Sequence, residues 1–247
     1  MFDSMRAVVV MYLLSAFTGL ILVLSTEISG LHNGLTADEP NVQSPAEATR
    51  KISFQQGVAG YQGTVDTEIW ALAAKTILNA NPNASSDENN DGGESQVLMR
   101  FEQIIGNGPH QIPANTTVVS ARLIVSAFDE GTTVNLHRLL VPFGKAATWD
   151  SMVAGVSADG LEASRHKDGF TFGKIAASSS GAIFDVTDTV QLWVNGKPNH
   201  GWVFLNTGGN GWDFYVSEFD KIEQRPKLVV EYLPPLTTPP AGLATSN

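Results

Sequence analysis

The chain has 247 residues, 43% of them hydrophobic and 16% charged, and contains no cysteine. That length is enough to bury one sizeable core, and the missing thiols exclude a disulfide framework, a thiolate metal site and a cysteine nucleophile. The formal net charge of −10 argues against nucleic acid as a partner, because phosphate binding needs a basic surface. It also opposes strongly anionic polysaccharides unless a basic patch or bridging cations offset the field.

From the N-terminus, Arg6 precedes an uncharged apolar stretch over residues 7–24, the pattern of a secretory signal. Residues 1–30 therefore read as a signal peptide or, if uncleaved, as an N-terminal anchor, the one route by which the chain would meet a membrane. Either reading places the rest in a secreted, cell-surface or periplasmic setting. Residues 31–50 are polar, aperiodic and interrupted by Pro40 and Pro45, as a tether requires.

Between residues 51 and 233, short apolar-alternating runs recur between turn residues, which predicts an all-β antiparallel sandwich, jelly-roll-like, formed as a single domain. The predicted strands are 52–56, 64–70, 96–104, 118–128, 133–141, 182–185, 201–206, 211–216 and 227–233. In 118–128, Val119, Ala121, Leu123, Val125 and Ala127 share one face and are expected in the core, opposite Ser120, Arg122 and Ser126. One short helix is predicted over 186–195. There Thr187 or Asp188 can cap the first turn, Val190, Trp193 and Val194 fall on one face, and Gly196 ends the helix with Pro198 beyond. The tail 234–247 holds Pro234, Pro235, Pro239 and Pro240. It reads either as the start of a linker to a further, catalytic domain or as a frayed end.

Several stretches in this order carry a resemblance: FQQGVAGYQGTVDTEIW (54–70), VLMRFEQI (97–104), SARLIV (120–125), Thr148–Trp149, FDVTDTVQLWVNGKPNHGWVF (184–204), SEFD (217–220) and RPKLVVEY (225–232). The ordered set resembles DNRLRE-type domains. These are β-sandwich modules of secreted bacterial and archaeal proteins, some of them classed as carbohydrate-binding. What the resemblance implies is the fold and an accessory, non-catalytic role next to polysaccharide; it does not supply the sugar.

Four constellations invite a chemical reading. In the acidic stretch 79–95, Asp87, Asn89, Asp91 and Gly92 match the opening of a calcium loop, with Glu94 as a further oxygen ligand. Leu98 stands where that pattern wants glutamate, so a structural calcium competes with a plain solvated acidic loop. Trp149, in a polar loop, and Tyr215, pointing away from Trp212, are the candidate platforms for the apolar face of a sugar ring, although Trp149 would serve equally as a staple for its loop. Trp70, Trp193, Trp202 and Trp212 lie in apolar patterns and are expected in the core. Arg100, Arg122, His137 and Arg138 are placed on neighbouring strands, where they would either bind a carboxylated or sulfated sugar or pair with acids such as Glu102 across the sheet. Glu218 and Arg225 are expected to form an ion pair. The five histidines show no metal-site spacing and no serine elbow occurs, so no enzyme is expected.

Overall fold

The computed structural model describes residues 48–129, 131–171 and 182–235. The signal-like segment 1–30, the tether through residue 47 and the tail from residue 236 lie outside the described residues. No helix among those described is long and apolar enough to cross a membrane.

The chain folds into twelve described strands and one α-helix. They are β1 (Arg50–Gln55), β2 (Thr64–Trp70), β3 (Asn83–Asn90), β4 (Gly93–Phe101), β5 (Thr117–Val125), β6 (Ala127–Asp129), β7 (Val134–Leu139), β8 (Ala163–Thr171), β9 (Ala182–Asp185), α1 (Thr187–Val194), β10 (Trp202–Asn206), β11 (Trp212–Tyr215) and β12 (Lys227–Leu233). One sheet has the order β1-β12-β5-β9; the other runs β6-β11-β3-β4-β10-β7-β8, with β2 also paired to β4. All of these pairings are antiparallel. The protein is an all-β sandwich, as the alternation of its runs requires.

Between the sheets lies a core that includes Leu123, Val125, Phe184, Trp193, Trp202, Phe204, Trp212 and Phe214. Each of these large side chains contributes roughly 1.5–3 kcal/mol by leaving water. The rings of Trp193 and Trp202 lie 4.6 Å apart, tying α1 to β10. A second cluster covers the other face of the larger sheet: Leu98 and Val203 on β4 and β10 meet Phe143, Ala147, Met152 and Val156, so the connection from β7 to β8 packs as a lid over that face. Both faces of the sheet are thereby dry along β4 and β10, which explains their unbroken apolar runs.

The structure departs from the sequence reading in four places. Val119 is exposed and Val118 buried, because a bulge between Glu231 and Tyr232 shifts the pairing of β12 with β5 and reverses side-chain parity at that end. The acidic stretch expected as a loop is the β3–β4 hairpin, turned at Asp91 (φ +52°) and Gly92 (φ +98°), the pair of positive φ values of a type I′ turn. β8, with the sequence ASRHKDGFT, is too polar to show as a strand and sits at a sheet edge, where such residues are expected. No side chain caps the helix at its N-cap residue Val186; Asp185 Oδ1, one residue before it, accepts from the Thr187 backbone N–H (3.0 Å) and hydroxyl (2.6 Å). The helix ends as predicted: Gly196 N–H donates to the Trp193 carbonyl and Lys197 N–H to that of Leu192, a Schellman closure.

Candidate functional site

β11 alternates cleanly. Trp212 and Phe214 are buried, whereas Asp213 and Tyr215 face outward, so Tyr215 stands where its position in the strand predicts. Its ring does not stand alone. It stacks on Phe219 with centroids 3.7 Å apart and meets Phe128 at 4.7 Å. Phe128 lies on the short edge strand β6, and 47% of its surface is open to solvent. The result is a ladder of three rings at the edge of the larger sheet, with Tyr215 as the middle rung and Phe128 as the ring most open to a ligand.

Carboxyls line the same edge. Asp213 pairs with Asp129 across β6 and with Ser85 across β3. Burial holds its carboxyl above the ordinary aspartate value, and the nearby charges of Asp129 and Asp87 add to the shift. Deeper in, Glu68 on β2 accepts the Ser85 backbone N–H at 3.0 Å, and burial lifts its pKa to about 7. Rings that cover apolar C–H faces beside acceptors that take hydroxyl protons are the elements of a sugar subsite. Phe128 and Phe219 were missed in the sequence because Phe128 ends an apolar run and Phe219 follows the strand in a turn. Only the fold brings them to Tyr215.

The other predicted site residues separate. Trp149 packs on the second apolar cluster. Its carbonyl accepts from the N–H groups of Ala154 and Gly155, and a Cβ at Gly155 would lie 2.7 Å from its ring. The tryptophan thus staples the β7–β8 connection. Arg100 and Arg122 are not neighbours: Arg100 is on β4 of one sheet and Arg122 on β5 of the other. Arg100 pairs with Glu102, donates to the Phe143 carbonyl at 2.8 Å and lies over the Phe143 ring. Arg122 stands exposed opposite Asp185. His137 is buried, with Nδ1 2.8 Å from the Ser164 carbonyl.

Arg138 lines a cleft of about 570 Å³ with His166, Asp168, Asp185 and Asp188, and Arg100 a separate, more open one of about 420 Å³ with Phe143, Asn199 and His200. Asp168 accepts the Trp202 indole N–H at 2.7 Å. Burial raises its carboxyl, against the opposing pull of Thr189, Trp202, Arg138 and His137. A third cleft, of about 580 Å³, lies among loops that bear Tyr61, Gln62, Gln103 and His110.

The four residues proposed for calcium do not converge. Asp87 lies opposite Ser95 in the hairpin, so Glu94, one residue earlier, projects from the other face. Asp87 Oδ1 accepts the Asn89 N–H at 2.8 Å, and Glu94 Oε1 accepts from Gln96 Nε2 at 2.6 Å. Nor do Glu218 and Arg225 pair. Arg225 donates to the carbonyls of Phe219 (2.6 Å) and Gln56 (3.1 Å), whereas Glu218 turns to Ser217. A scan against protein-family models finds no match to this chain, and a search of curated proteins finds none either.

Proposed function

We propose that this sandwich is a non-catalytic carbohydrate-binding module of an exported protein, one that holds a neutral polysaccharide on the Phe128–Tyr215–Phe219 ladder. The observation that carries the reading is the half-exposed Phe128 ring, continuous with two further rings and flanked by Asp129 and Asp213. Stacked rings and acceptor carboxylates suit hydroxyl-rich, uncharged sugars, and the net charge of −10 repels carboxylated ones. The signal-like N-terminus supports export, and the resemblance to DNRLRE-type domains supports an accessory role beside a catalytic domain in a longer chain.

Affinity electrophoresis through gels containing xylan, cellulose derivatives, pectin, fucoidan or alginate tests the reading. The protein should be retarded by at least one neutral polymer, with affinity on the order of micromolar to millimolar, and Phe128→Ala should lose most of that retardation. Retardation by none of the polymers would leave the sandwich a structural or adhesive element. Retardation by acidic polymers alone, abolished in Arg138→Ala, would move the site to the α1 cleft, which Arg138 and Lys167 line.

A further inference from the structure

Beneath the turn that carries Phe219, the structure brings a buried carboxyl, that of Asp66, up to the exposed carboxyl of Glu218. Asp66, on β2, is 3% exposed, and its Oδ2 accepts the Ser217 N–H at 3.1 Å. The Ser217 hydroxyl donates to Glu218 Oε2 at 2.8 Å, which turns the Glu218 carboxyl within hydrogen-bonding reach of Asp66. Asp66 Oδ1 meets no N–H or O–H group. Neither acid takes part in an ion pair among the described residues, where the pairs are Lys51–Glu231 and Arg100–Glu102. Two residues earlier on the same face of β2, the Thr64 hydroxyl is also buried without a partner.

Buried polar atoms are almost always satisfied, and two facing carboxyls need a positive charge or a shared proton between them. The pair therefore holds either a shared proton or a bound cation, and the unpartnered oxygens of Asp66 and Thr64 are the atoms a cation would engage. The donors are all oxygens, from two carboxyls and a hydroxyl, which suits a hard cation and not zinc or copper. No group of three His, Cys, Asp or Glu residues that could hold a metal ion occurs among the described residues, so the hydroxyl of Thr64, with water, would complete the coordination. We infer that Asp66 and Glu218, with Thr64, form a calcium site that clamps the segment from Ser217 to Arg225 onto β2. This site is separate from the acidic β3–β4 hairpin, and it stands or falls independently of sugar binding.

The test uses the full chain stripped of metal by chelation, with calcium chloride alone as the probe and no sugar present. Thermal unfolding should shift upward saturably with calcium, by about 5–10 °C at about a hundredfold excess over Kd, and titration calorimetry should count one ion per chain. Magnesium, which demands tighter octahedral geometry, should give a smaller shift. Asp66→Asn and Glu218→Gln should each abolish the calcium shift, and Asp87→Asn should leave it intact. If Asp66→Asn does not fold, the exposed Glu218→Gln carries the test. No shift in the parent protein, an undiminished shift in Glu218→Gln, or a shift lost in Asp87→Asn would each overturn the proposal.

Discussion

At the scale of single residues, the aromatic side chains divide by what covers them. Trp149 is held by its loop: Gly155 sits at φ +92°, and a methyl there would lie 2.7 Å from the indole. Gly155→Ala combines backbone strain with a clash that the packed ring cannot relieve, so it should cost about 2–4 kcal/mol in urea unfolding. Trp149→Ala should likewise destabilise, by about 2–3 kcal/mol, yet leave retardation by polysaccharide unchanged. Phe128→Ala should do the reverse, changing stability by no more than about 0.5 kcal/mol, as an exposed site does, while removing retardation. A Trp149→Ala variant that kept its stability and lost binding would restore the tryptophan as a platform. Tyr215 was legible because strict alternation with Trp212 and Phe214 sends it outward. Its two phenylalanine partners were not, since one belongs to another strand and the other to a turn, and no local period connects them.

At the scale of elements, the strands with apolar alternation were readable and the polar ones were not. β3, NASSDENN, becomes a strand because Asp91 and Gly92 fold it back on β4, whose apolar side chains supply the burial. On β2 the apolar Val65 and Ile69 were visible, but the opposite row of Thr64, Asp66 and Glu68 gave no sign that it too would be covered. β8 was missed for the same reason, and its Asp168 joins three elements by accepting from Trp202 on β10 and Thr189 on α1. Because burial holds the Asp168 carboxyl above its ordinary value of 3.8, the folded state keeps a proton that the unfolded chain releases above about pH 4. Stability from this group therefore falls as pH rises through the window between those two values, then levels off. Asp168→Asn keeps an acceptor for the indole and should flatten that slope in urea midpoints measured from about pH 4 to about pH 8; an unchanged slope would show that Asp168 ionises as freely in the fold as in the unfolded chain.

At the scale of the whole molecule, charge does little to hold the fold. The two ion pairs among the described residues each involve a partner well exposed to solvent, and such pairs contribute about 0–1 kcal/mol. The net charge of −10 acts instead on what approaches, repelling polyanions over roughly a Debye length. Ring stacking on Phe128 and hydrogen bonds to Asp129 and Asp213 involve no charge on a neutral sugar. Retardation by a neutral polysaccharide should consequently stay constant as sodium chloride rises from about 0.05 M to about 0.5 M, a range over which the Debye length falls severalfold. Binding through Arg138 and Lys167 to an acidic chain would weaken over the same range as its ion pairs are screened, and salt-sensitive retardation would count against the aromatic ladder as the site. The clefts and the ladder lie on one scaffold, so a salt series run in parallel on Phe128→Ala and Arg138→Ala assigns the binding to one of them by which variant removes the salt-independent component.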